Sequence, residues 1–217
     1  MAGREFSFAT GNYYHIFNRG AAKQTTFITD RDYRRGIETL SYYRFTHPPI
    51  KFSRLYVLSQ ERRREILNNL TPNDDNCLVN ILSFALMPTH FHFLVKQNVN
   101  FGISVFISKF TNSYTKYFNT KNHRIGALFQ GVFKAVSVDS EEQLLHLSRY
   151  IHLNPLVDRI SDNWTSLKYY TDSSQNLIDT KPVLSHFSSV GKYLDFVRGQ
   201  IEYGTRLEEY KHKFLDQ

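Results

Sequence analysis

The sequence predicts an α+β protein: a ferredoxin-like, mostly antiparallel sheet with helices on one face, plus a helical insertion and a C-terminal extension. Three observations predict it. Strand and helix signals follow the order strand, helix, strand, strand, helix, strand, helix. The two middle strands are joined only by Pro88-Thr89, a turn signal. No repeat or low-complexity linker divides the 217 residues, a length that suits one decorated domain.

Each element has its own warrant. Tyr13-Tyr14-His15-Ile16-Phe17 reads as a strand closed by the turn Asn18-Arg19-Gly20. Thr29 or Asp30 caps a helix running to about Phe45, with Tyr33, Ile37 and Leu40 on its apolar side. His47-Pro48-Pro49 breaks the chain, and residues 46–75 read as an insertion. That insertion holds a solvated helix around Gln60-Glu61-Arg62-Arg63-Arg64-Glu65. Cys77 to Met87 reads as a second strand, followed by the strand that begins at His90. Ile103, Phe106, Ile107, Phe110, Tyr114 and Tyr117 recur at helical spacing. Asn119 to Gly126 is a basic loop, and Leu128 to Val138 is strand-like. A last core helix starts at Asp139 or Ser140 and runs through Tyr150, and Pro155 is expected to end it. Tyr193, Phe196, Val197 and Ile201 give the tail from Ser185 an amphipathic pattern, so the division is residues 1–174 as the domain and 175–217 as a helical extension.

Composition narrows the function classes. The net charge is +7, and aromatic residues make up 15% of the chain, with 14 Tyr and 18 Phe. Basic side chains neutralise phosphates and rings stack on unpaired bases, so the balance fits a nucleic-acid partner. Cys77 is the only cysteine, which excludes an intrachain disulfide and a cysteine-based zinc site and suits a reducing compartment. No stretch approaches a membrane span, and the expected location is the cytoplasm.

Chemistry concentrates in two segments. Met87-Pro88-Thr89-His90-Phe91-His92-Phe93-Leu94-Val95 places His90 and His92 on one face of a strand and Phe91 and Phe93 on the other. Two adjacent imidazoles can hold one divalent cation. By itself the pair reads first as two hydrogen-bonded histidines on a half-buried strand; with 9 His in the chain, a chance His-x-His is expected about 0.4 times. The second segment is Arg149-Tyr150-Ile151-His152-Leu153-Asn154-Pro155. Tyr150 and Asn154, four apart, share a helix face. A phenol attacks a phosphodiester when a metal grips the phosphate, and an asparagine amide oxygen can join the metal's shell. Tyr14 and Tyr56 also have Asn or Gln four residues on, but one lies in a strand and the other in the insertion. Tyr114 and Tyr117 belong to a stripe that reads as core, and His146 and His152 are further candidate ligands or bases.

Four blocks together resemble the single-tyrosine HUH transposases, in their REP-associated, IS200-like branch: Tyr14-His15-Ile16-Phe17-Asn18-Arg19-Gly20, the histidine segment, Gly126-Ala127-Leu128-Phe129-Gln130-Gly131-Val132-Phe133-Lys134, and the tyrosine segment. The resemblance covers about residues 13–170, outside the insertion. It implies the HUH nuclease fold, His90 and His92 as metal ligands with Asn154 as the third, Mg²⁺ or Mn²⁺ as the metal, and Tyr150 as nucleophile. The reaction implied is cleavage and rejoining of single-stranded or hairpin DNA through a 5′-phosphotyrosine link, by a monomer or homodimer. By location, Arg19, Lys109, Lys116, Arg124 and Lys134 are candidates to hold the DNA backbone, with Gln130 lining its path or shaping a bulge. Two alternatives stay open: a catalytically silent nucleic-acid-binding protein on the same sheet, and a metallohydrolase whose nucleophile is water.

Overall fold

β1 (Tyr13–Arg19) alternates buried Tyr14, Ile16 and Asn18 with the less buried His15, Phe17 and Arg19, as a strand with one tightly packed face must. The computed structural model describes residues 7–157, 162–172 and 176–199. In it β1 lies at the middle of a four-stranded antiparallel sheet with β2 (Val79–Met87), β3 (His90–Gln97) and β4 (Lys134–Val138), in the order β2-β3-β1-β4. That order follows from the connections. Pro88-Thr89 folds β3 back onto β2, while the two helical crossovers carry β2 and β4 to opposite sides of β1 and β3. The α+β class read from the sequence is the one observed.

α1 (Asp30–Tyr43) and α4 (Gly102–Lys121) cover one face of the sheet. Asp32 fixes the start of α1, accepting from the Thr29 backbone N–H at 3.0 Å and from the Thr29 hydroxyl at 3.0 Å. Gly36 lets α1 approach the sheet: a Cβ there would stand 2.8 Å from a Leu86 methyl. Phe91 and Phe93 point into this layer and pack edge-on against Phe110 of α4, with ring centroids 5.3 and 5.2 Å away.

α5 (Glu141–Val157) is applied to the other face, over β2 and the edge of β3. Helices therefore lie on both faces, not on one as the sequence suggested, because α5 packs back over β2 on the side opposite α1 and α4 and covers that face only in part. The first face is where the alternation of the strands points the large apolar rings. Only the half beneath α5 is sealed on the second face.

Two boundaries differ from the sequence reading. Pro155 does not end α5 at the preceding residue; the helix continues to Val157, with Ile151, Leu153 and Pro155 buried against the body of the protein. A proline one turn from a helix end removes a single internal hydrogen bond, a loss that packing outweighs. Leu128 to Phe133 is not strand: Gly126 and Gly131 have φ of +93° and +24°, and only Phe129 makes a bridge, to Gly20.

The insertion holds α2 (Phe52–Leu55) and the exposed α3 (Gln60–Asn68), attached through a small cluster of Tyr42, Phe52 and Leu55. After α5, Thr165 and Ser166 run along the outer edge of β2, where Ser166 N–H donates to the Phe84 carbonyl at 2.9 Å. α6 (Leu167–Thr171), α7 (Lys181–Leu184) and α8 (Val190–Arg198) complete the described chain, with Val183, Tyr193 and Val197 fully buried. Ile201 and the rest of the proposed amphipathic tail lie outside the described residues. No helix among the described residues is long and apolar enough to cross a membrane.

Candidate metal and nucleophile site

Strand pairing assembles the partly covered face. His90 lies opposite Arg19, His92 opposite Phe17, and His15 opposite both Leu94 and Val136. Antiparallel partners project to the same side, so this face carries Met87, His90, His92, His15, Phe17, Arg19, Lys134 and Val136. α5 overlies the β2 side. The β1–β4 side is open, with Arg19 and Lys134 exposed and Val136 53% exposed.

At the border between the two halves sit the histidines. The His90 and His92 rings are 5.0 Å apart at their centroids and nearly perpendicular, at 89°. His90 Nδ1 is 3.0 Å from the Thr89 hydroxyl, and His92 Nδ1 is 2.9 Å from Nε2 of His15. His92 is 8% exposed. Burial lowers the pKa of His15 to about 4, so that ring is uncharged at neutral pH.

α5 brings its tyrosine to the same border. The Tyr150 ring stands edge-on to His92 with centroids 5.6 Å apart, and 6.4 Å from His15. It is 38% exposed, unusual for a ring otherwise placed among buried groups. Asn154 follows one turn later on the same helix face, and its buried Nδ2 has no hydrogen-bond partner. The two ends of an amide differ little in shape, so turning it over would offer an oxygen acceptor at that position. Among the described residues no three His, Cys, Asp or Glu side chains converge as a metal cluster. A cation here would rest on two imidazoles and a neutral oxygen donor, and those residues fit a divalent metal with further positions open to substrate or water.

Other candidates separate cleanly. Tyr114 is fully buried, donates to the Thr26 carbonyl at 2.7 Å, and has its pKa driven far up by burial. Tyr117 donates to Asp32 at 2.9 Å, and burial, then Asp32, push its pKa up to about 12. Both lie on α4, across the sheet from the histidines. His152 is also fully buried, between the Tyr193 hydroxyl at 2.7 Å and the Ser166 hydroxyl at 2.6 Å, and belongs to the packing of α5. His146 is on the exposed side of α5, 2.5 Å from Arg149.

The basic candidates divide in the same way. Arg19 and Lys134 share the histidine face, and Gln130, exposed, donates its backbone N–H to the Arg19 carbonyl at 2.7 Å. Lys109 and Lys116 are on α4, behind the sheet, and the structure does not bring them to the histidines. Arg124 lies just past α4, bonded to Asn119 at 3.0 Å and lying over the Phe118 ring. Sequence reasoning missed His15 and Phe17 as members of the site. Their alternation with Arg19 marked a common face, but only the pairing of β1 with β3 reveals what that face meets.

Residues 42–154 match the family described as Transposase IS200 like, a segment that takes in His90, His92, Tyr150 and Asn154. It also runs through the insertion and begins after β1. No curated protein sequence matches the chain. A solved structure described as a REP-associated tyrosine transposase bound to a REP hairpin superposes loosely, with a TM-score of 0.47 and 12% identity over 83% of this chain and 90% of that one. With over half its length matched, and with both histidines and the tyrosine inside the match, the chain belongs to the IS200-like transposase family.

Proposed function

We propose that this transposase is a metal-dependent single-stranded DNA endonuclease and strand transferase that acts at hairpin-associated sites through Tyr150, in the manner of the REP-associated branch. The observation that carries the reading is the half-exposed Tyr150 ring 5.6 Å from the ring of His92, at the edge of an open basic sheet face. His90, His92 and Asn154 would hold Mg²⁺ or Mn²⁺. When bound, such a cation supplies Lewis-acid charge at the scissile phosphate.

The rest is the work of the chain's own groups. Arg19 and Lys134 hold the strand's phosphates across the open half of the sheet, and Phe17 offers a ring to an unpaired base. Tyr150 Oη attacks phosphorus; the O–P bond forms as the P–O3′ bond breaks. The phenol proton passes to water and the departing oxygen takes one up as a 3′-hydroxyl. The phosphotyrosine bond conserves the energy of the broken link, so reversal rejoins strands without ATP. The tyrosine and both imidazoles meet within one chain, which supports a reading in which each copy cleaves with its own groups, as a monomer or within a homodimer. Residues 1–174 form the nuclease unit, 175–217 its extension, and the reaction belongs in the cytoplasm with the DNA.

Incubation with hairpin-flanked single-stranded DNA and Mn²⁺ tests the reading on a denaturing gel. A covalent protein–DNA adduct is expected, and Tyr150→Phe should abolish it while DNA binding stays within a few-fold. Cleavage without an adduct would point instead to water as nucleophile. Metal-independent binding with no cleavage would make the protein a silent DNA binder.

A further inference from the structure

With Nδ1 of His92 engaged by His15, only one of the two neutral forms of His92 leaves Nε2 free for a cation. An imidazole offers one lone pair, and the nitrogen that holds it depends on where the ring's single hydrogen sits. Both candidate ligands are approached at the same atom: Thr89 Oγ1 stands 3.0 Å from Nδ1 of His90, and His15 Nε2 stands 2.9 Å from Nδ1 of His92. A hydroxyl can give or take a hydrogen bond, so Thr89 adapts to its neighbour. His15 is more decisive, because a neutral imidazole nitrogen is either donor or acceptor.

We propose that His15 is a positioning residue: its Nε2 accepts the Nδ1 hydrogen of His92 and so fixes the tautomer in which Nε2 of His92 carries the lone pair for a divalent cation. The opposite arrangement, with His15 donating, puts the hydrogen on Nε2 of His92 and bars that nitrogen from a metal. The surroundings suit an orienting role. The His15 and His92 rings stack at 5.1 Å with planes 21° apart, and Phe17 closes on both, 4.8 Å from His15 and 5.8 Å from His92. The two rings project from adjacent central strands, β1 and β3, whose pairing sets them on one face as diagonal neighbours. A hydrogen-bonded partner behind a metal-ligating histidine fixes its orientation and raises its basicity. His15 does this for His92 from outside the metal's own shell, and lies outside the segment that matches the family.

The inference rests on the nuclease reading, yet its test does not depend on activity. Imidazole nitrogen NMR on the metal-free protein reports which nitrogen of His92 carries hydrogen, and Mn²⁺ titration reports affinity. In the wild type the Nδ1–H form of His92 is expected. His15→Phe, which keeps a ring but removes the acceptor, should shift His92 toward the Nε2–H form and weaken Mn²⁺ binding by about 10- to 100-fold. His15→Gln, whose side-chain oxygen can accept, should recover much of both. A wild-type His92 already in the Nε2–H form, or a His15→Phe protein with unchanged tautomer and affinity, overturns the proposal. A wild type that binds no Mn²⁺ overturns the nuclease reading, while the metal-free spectrum still judges His15 separately.

Discussion

Asn154 carries an unusual burden for a side chain on a packed helix: a buried amide nitrogen with nothing to bond. Leaving such a group unpaired costs about 1–3 kcal/mol. Its retention is understandable if the amide acts when a cation is present. Asn154→Ala should therefore leave thermal stability unchanged or raise it in metal-free buffer, while reducing the stabilisation gained on adding Mn²⁺. Thermal melts with and without Mn²⁺ measure both, and a destabilised metal-free protein with a full metal response would contradict the assignment. Asp32 makes a second residue-scale case. Burial by itself would raise its pKa, but the Lys121 ammonium at 2.7 Å, the Thr29 N–H, and the Tyr117 and Thr29 hydroxyls together lower it. A carboxyl lowered in the folded state contributes fully above its unfolded value and loses that contribution as pH falls through the folded one. Asp32→Asn should then melt below the wild type at pH 7, with the gap narrowing as pH drops below about 4. Melting curves across that range decide it.

Among the elements, α5 holds the candidate nucleophile Tyr150 together with Asn154, and it is firmly tied down. His152 bonds Tyr193 of α8 on one side and Ser166 on the other, and the Ser166 hydroxyl accepts from Phe84 N–H at 2.8 Å. The helix below Tyr150 is thus locked to β2 and to α8 through one buried polar chain. Tyr193→Phe leaves a nitrogen of His152 without its partner and should cost about 1–3 kcal/mol, measurable by urea denaturation. The sequence made much of this element legible: the spacing of Tyr150 and Asn154 already put them on one helix face. It misplaced the end, because the rule that proline stops a helix weighs local geometry and not the burial of Ile151, Leu153 and Pro155. β3 was legible for the opposite reason, since its alternation of histidine and phenylalanine is a local property that the fold respects. The stretch from Leu128 to Phe133 was not, because apolar residues there looked strand-like while Gly131 within it, and Gly126 just before it, take positive φ. His15 escaped for want of register: nothing in β1 alone says that it will face His92.

At the scale of the molecule, the covered and open halves of one sheet face give the charge its meaning. The net charge of +7 pointed to nucleic acid but could not say where. Of the basic candidates, Arg19 and Lys134 share the open half, whereas Lys109 and Lys116 are on α4 at the back. Removing one phosphate-binding charge from a single-strand complex should flatten the plot of log affinity against log salt by about 0.7. Arg19→Ala and Lys134→Ala are expected to show that change in filter binding or anisotropy, and Lys109→Ala and Lys116→Ala to show none. Equal effects from all four would mean that the DNA wraps behind the sheet.

The backbone of Thr165 and Ser166, laid along β2, has a consequence for assembly. A sheet enlarges by accepting a neighbour's strand on a bare margin, and this stretch of chain has taken the berth on one side. Among the described residues no strand lies beyond β4, so any copy of the protein that extended this sheet would have to join there, beside Lys134, and would crowd the approach that DNA needs.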